Sequence, residues 1–117
     1  MHRYSRRVGE LPFELPPERA AELLVAGDVE LIDVREPHER EAGHIPGSRH
    51  VELATLADSA DALPADRPIV FQCRVGARSA MAAFAFRRAG FDAHNLDGGI
   101  VAWAERGLPV DGQIADH

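Results

Sequence analysis

The chain contains one cysteine, Cys73, within Ile69-Val70-Phe71-Gln72-Cys73-Arg74-Val75-Gly76-Ala77-Arg78-Ser79. Ile69 to Phe71 read as a buried strand, and Ser79 opens an alanine-rich helix running to Ala89. A cysteine between a strand end and a helix start sits where backbone N–H groups converge at the positive end of the helix dipole. Such a position lowers a thiol pKa and favours the nucleophilic thiolate. Arg74 and Arg78 add positive charge, and the same cradle can hold an anion. The chemistry expected is a cysteine nucleophile in an anion-binding loop. A lone cysteine is more often a small buried hydrophobe. Arginines on both sides of Cys73 argue against an apolar burial site.

A second polar pair stands at another strand end. Glu30 to Val34 read as a strand that runs into Asp33-Val34-Arg35-Glu36-Pro37. Asp33 and Arg35 are two residues apart and share a face of an extended backbone. The plain reading is a structural ion pair, or bonds to loop backbone. Open α/β sheets place ligands at the carboxyl ends of their strands, so a supporting role beside the cysteine loop is expected. His44 lies in the turn Gly43-His44-Ile45-Pro46-Gly47. Without a second catalytic residue marked beside it, it reads as a hydrogen-bonded structural histidine.

The remaining chain supplies the elements that must position these groups. Phe13 to Leu15 suggest a short edge strand. Pro16-Pro17 start a helix with Ala20, Ala21, Leu23 and Leu24 on its apolar face, ended by Gly27. Pro37 to Ala42 make a short helix, and a strand lies around Arg49 to Val51. Leu53, Leu56, Ala57, Ala60 and Leu63 are spaced for a helix over residues 53–63. The helix after Ser79 is apolar on most sides, which predicts deep burial. Phe91 to Leu96 form the last strand. Asp97-Gly98-Gly99 is a tight turn that brings backbone close to a neighbour, and a helix over residues 100–106 carries Trp103 into the core. Strands alternating with helices predict an α/β fold: three layers, α/β/α, around a mainly parallel sheet of about five strands.

Composition sets the limits. A chain of 117 residues supports one core. The chain reads as a polar basic leader over residues 1–9, a single domain over 10–112 and a tail over 113–117. The longest apolar run, Ala80 to Phe86, is far short of a membrane span. The formal charge of −6 gives no reason to expect nucleic acid or an anionic membrane as partner. All 13 basic residues are arginine, which excludes lysine Schiff-base chemistry. One cysteine allows no internal disulfide and no resolving thiol, so a thioredoxin-type mechanism is excluded and any sulfur-loaded Cys73 must be discharged from outside. Ser5-Arg6-Arg7 is similar to a twin-arginine export signal, but Glu10, Pro12 and Glu14 interrupt any apolar segment after it. The expected location is cytoplasmic. No metal-ligand spacing is present, and no cofactor is implied.

Four blocks in order resemble the rhodanese (sulfurtransferase) domain. They are Leu31-Ile32-Asp33-Val34-Arg35-Glu36, Gly43-His44-Ile45-Pro46-Gly47-Ser48, Cys73 to Ser79, and Leu96-Asp97-Gly98-Gly99-Ile100-Val101-Ala102-Trp103 with Gly107-Leu108-Pro109. The resemblance covers roughly residues 15 to 110. It implies that Cys73 attacks the outer sulfur of thiosulfate or a persulfide donor and becomes a persulfide. A thiophile such as cyanide, glutathione or a protein thiol then takes the sulfur, and a sulfur-relay protein is a further implied partner. The loop amides from Arg74 through Val75, Gly76, Ala77 and Arg78 to Ser79 would cradle the terminal sulfur. Arg78 and, from the loop rim, Arg74 would attract an anionic donor, while Ser79 would donate a hydroxyl hydrogen bond or cap the helix. Two departures, Arg40 in place of an aromatic residue and Glu52 in place of a proline, look peripheral. Dual-specificity phosphatases that share the fold use C-x5-R, whereas Cys73 and Arg78 give C-x4-R. A smaller ring of amides suits one sulfur atom better than a tetrahedral phosphate or arsenate. Non-catalytic rhodanese-like modules, which bind partners or sense persulfides, are the alternative from another class.

Overall fold

The structure, a computed structural model, describes residues 11–115; the leader expected over residues 1–9 lies outside them. Five strands form one parallel sheet: β1 (Glu14–Leu15), β2 (Glu30–Asp33), β4 (Arg49–His50), β5 (Ile69–Gln72) and β6 (Ala93–Leu96), in the order β1-β6-β5-β2-β4. Every pairing in it is parallel. The strands read as apolar runs because both faces are covered. Alternation then divides the core. Leu31, Val70 and Leu96 point to one side with Leu15, Leu23, Ile100 and Trp103. Ile32, Ile69, Phe71 and Ala93 point to the other with Ala82, Ala83 and Phe86.

Helices α1 (Pro17–Val25) and α4 (Gly99–Glu105) contribute to the first cluster, and α3 (Ala77–Arg88) to the second. Pro17 stands at the start of α1 and Glu18 in its first turn, as helix-start chemistry requires. The short α2 (Pro37–Ala42) is closed at its start by a reciprocal capping box between Glu36 and Glu39.

Three readings change. Residues 53–63 are two 3₁₀ segments, Leu53–Thr55 and Ala57–Ala62, and not an α-helix. Their bonds run three residues back, from Leu56 N to Leu53 O and from Leu63 N to Ala60 O. The pairs 53/56 and 60/63 fit a three-residue turn as well as a helical one, and only Leu56 and Leu63 are buried. Second, α3 begins at Ala77, two residues before Ser79, and it is not deeply buried: Met81 and Phe84 are exposed at 69% and 59%. One face of α3 covers the sheet and nothing covers the other among the described residues. Third, a two-stranded antiparallel ribbon, β3 (Gly43–His44) with β7 (Asp111–Gly112), was not anticipated. Just after it Gln113 stays on the body, with its N donating to Ala42 O at 2.8 Å. No helix among the described residues is long and apolar enough to cross a membrane.

Candidate active site

Cys73 is the first residue after β5, at the carboxyl edge of the central strand. Arg74 and Val75 turn the chain, and Gly76 caps α3 with φ 108°, a left-handed conformation that glycine adopts without strain. The turn aims the first amides of α3 back at the thiol. Cys73 Sγ accepts from Gly76 N at 3.1 Å, from Ser79 N at 3.4 Å and from Ser79 Oγ at 3.3 Å. Ser79 therefore donates to the Cys73 sulfur from inside the helix, its Oγ also reaching Gly76 O at 3.4 Å, and the cap role belongs to Gly76. The amides of Arg74, Val75, Ala77 and Arg78 have no acceptor among the described residues. Those of Ala77 and Arg78 are first-turn donors that no helix can satisfy internally. The loop that carries the sulfur thus holds four N–H groups without an acceptor among the described residues.

Cys73 is 1% exposed and packs in the apolar cluster under α3. Burial and function are not alternatives here. The carbon side of the residue faces the core, and the sulfur faces polar donors.

The loop is held from behind. Ile100 N donates to Cys73 O at 2.9 Å and Val101 N to Arg74 O at 3.1 Å, so the free amides of α4 bind the loop carbonyls. This is the close approach that Asp97-Gly98-Gly99 serves. Gly99 has φ 64°, and a Cβ there would collide with the carbonyls of Cys73 and Arg74. Gln72 Nε2 donates to Cys73 O at 3.0 Å, and the buried Asn95 donates to Gly76 O at 3.2 Å.

Arg78 does not stand free. Its Nη1 and Nη2 donate to Glu39 Oε1 and Oε2 at 2.8 and 3.0 Å, a bidentate pair. Glu39 is 3% exposed. Hydrogen bonding from Arg78 brings its carboxyl down to about 2 against the opposing effect of burial, helped by the Glu36 backbone amide. The same bond raises the Arg78 pKa. Arg74 Nε donates to Ala115 O at 3.0 Å. Glu36, His38, Glu39, Arg74 and Arg78 together line an open cleft.

Asp33 and Arg35 form the ion pair read from their spacing. Both are fully buried, with Arg35 Nε and Nη2 donating to Asp33 Oδ1 and Oδ2 at 2.9 and 2.8 Å. Arg35 also reaches Gly43 O at 2.7 Å, tying β2 to β3. Asp33 lies beside Gln72 in the sheet register, one residue from Cys73. Arg40 is not peripheral: it donates to Ser48 Oγ and O at 2.7 and 2.9 Å and to Asp33 at 3.4 Å. His44 lies on the β3–β7 ribbon, with Nε2 at 3.8 Å from Asp111 Oδ2. Sequence reasoning missed Glu39, Gln72 and Asn95. Glu39 had a readable signal, the three-residue spacing from Glu36 that makes a capping box. Gln72 and Asn95 were polar residues inside otherwise apolar strands, which signals buried hydrogen bonding.

The profile of the family described as "Rhodanese-like domain" matches residues 16–106. The chain belongs to the rhodanese-like domain family. This rhodanese-like domain is 39% identical, over 90 residues, to the thiosulfate sulfurtransferase GlpE of Stutzerimonas stutzeri, covering 76% of the chain and 82% of that protein. It is 47% identical over 89 residues to the HTH-type transcriptional regulator Rv0324 of Mycobacterium tuberculosis. That match takes in 74% of the chain and spans only 39% of the regulator. Among solved structures, a rhodanese-related protein from Thermoplasma volcanium superposes with a TM-score of 0.79 at 27% identity, covering 87% of this chain and all of that one.

Proposed function

We propose that this rhodanese-like domain is a sulfurtransferase that carries a sulfane sulfur on Cys73. The observation that carries the reading is the buried sulfur held by three donors, in a loop with four further amides that have no acceptor among the described residues. With thiosulfate, the Cys73 thiolate forms a bond to the outer sulfur, the S–S bond of the donor breaks, and sulfite leaves with the electron pair. The terminal sulfur of the resulting persulfide carries a negative charge, which the open amides of the loop would bind. Cyanide or a thiolate then attacks that sulfur and returns the Cys73 thiolate. The similarity to a sulfurtransferase over most of both chains supports this assignment. The single thiol supports a cytoplasmic setting.

The test is the intact mass of the protein after thiosulfate or a persulfide, then after cyanide. The expected result is a gain of one sulfur atom at Cys73, removed by cyanide as thiocyanate appears. Cys73→Ser is expected to fold and to gain nothing; sulfur transfer by that variant overturns the mechanism.

A persulfide-sensing module is the second reading, favoured by the similarity to part of a transcriptional regulator. Turnover separates the two: a sensor is modified once and changes its affinity for a partner, whereas an enzyme cycles.

A further inference from the structure

The Glu39–Arg78 pair bears on which donor the loop accepts. Thiosulfate is a dianion, and its sulfonate end is best held by free positive charge close to the Cys73 loop, whose Arg74 and Arg78 line an open cleft. The cleft offers little. Arg78 has both terminal nitrogens committed to a carboxylate, at 2.8 and 3.0 Å. Glu39 is 3% exposed, so no solvent screens the pair from that side. Glu36 adds a second carboxylate to the same cleft. Its side chain is 68% exposed, with Oε1 at 3.6 Å from His38 Nδ1. Arg74 is the one guanidinium of the cleft with no carboxylate within ion-pair distance among the described residues. The cleft therefore presents one guanidinium with no carboxylate partner among the described residues and one exposed carboxylate, that of Glu36 beside His38, which matches a zwitterion better than a dianion.

We infer that Glu39 is a specificity-determining residue: by neutralising Arg78 it selects small zwitterionic persulfides, of the cysteine persulfide class, over thiosulfate. The inference rests on the sulfurtransferase reading. The loop amides take the transferred sulfur from either donor, and the cleft distinguishes what that sulfur is attached to. The Cys73 thiolate bonds to the terminal sulfur of R–S–SH, the donor S–S bond breaks, RS⁻ leaves with the electron pair, and the proton stays on the transferred sulfur. The ammonium group of the donor faces Glu36 and its carboxylate faces Arg74.

The experiment is single-turnover loading of Cys73, followed by intact mass, with cysteine persulfide and with thiosulfate as the probes. The wild-type protein is expected to load from cysteine persulfide about tenfold faster than from thiosulfate at equal concentration. Glu39→Gln keeps an oxygen to accept from Glu36 N but removes the charge that cancels Arg78. It is expected to speed thiosulfate loading about tenfold and cysteine persulfide loading by a clearly smaller factor, so that the donor ratio shifts toward thiosulfate. The gain is expected in the half-saturating thiosulfate concentration and not in the maximal rate. A defect of folding or of thiol reactivity would move both donors together, so the ratio isolates selection. Should Glu39→Gln fail to fold, Glu36→Gln tests the same charge selection: thiosulfate loading is expected to rise about threefold and cysteine persulfide loading to fall, as its ammonium group loses Glu36. Equal wild-type rates for the two donors, or a donor ratio unchanged in the folded variant, overturn the inference. Loading from neither donor overturns the sulfurtransferase reading itself, which is a separate result.

Discussion

At the scale of single residues, the site combines a locally bonded sulfur with a charged pair drawn from distant parts of the chain. Cys73 is bonded locally, by Gly76 and Ser79. Arg78 is paired with Glu39, 39 positions away. This pair gives stability a pH dependence. The Glu39 carboxyl titrates at about 2 in the folded protein, below its ordinary value of 4.5. The folded state therefore binds a proton less readily than the unfolded chain, and the stabilisation is full above the ordinary value. It is lost as pH falls from 4.5 toward 2. Urea unfolding at a series of pH values is expected to show this loss in the wild-type protein and a shallower one in Glu39→Gln, since glutamine does not titrate.

At the scale of elements, the loop is a joint between three of them. β5 delivers Cys73, α3 aims its first amides at the sulfur, and α4 binds the loop carbonyls with its own first amides. Two helix N-termini thus face one loop, from opposite sides of its backbone. Gly99 is the point where the joint is tightest. Gly99→Ala adds a Cβ against the carbonyls of Cys73 and Arg74 at a positive φ. The expected cost is about 1–3 kcal/mol from backbone strain alone. The collision displaces the loop, so sulfur loading of the folded fraction is expected to fall as well. Thermal melting and intact mass measure the two effects. Loading at the wild-type rate would show that α4 does not position the loop.

At the scale of the molecule, the parallel sheet separates two apolar clusters and leaves its carboxyl edge for chemistry. Cys73 belongs to the cluster under α3, while the cluster on the other face is anchored by Trp103, 1% exposed, with Nε1 donating to Pro109 O at 2.8 Å. Trp103→Ala is expected to cost about 3–5 kcal/mol, through lost burial and an unfilled cavity. Against a typical stability of about 5–15 kcal/mol, that leaves the fold near its threshold. Chemical denaturation measures it; a cost below about 1 kcal/mol would mean that the cluster repacks around the gap.

The sequence by itself determined what local chemistry determines. Apolar strands, proline-started and glycine-ended helices, and a cysteine between a strand and a helix were legible because each signal lies within a few residues. The alternation of strands and helices gave the parallel sheet, and the spacing of Asp33 and Arg35 gave their ion pair. Only the tertiary structure decided what depends on distant partners. It placed Glu39 on Arg78, Asn95 on Gly76 and the first amides of α4 on the loop. It also showed which face of α3 meets the sheet, leaving Met81 and Phe84 exposed on a helix whose composition alone read as buried. A hydrophobic pattern records how apolar a surface is; what covers it is settled by packing, and no single element carries that information.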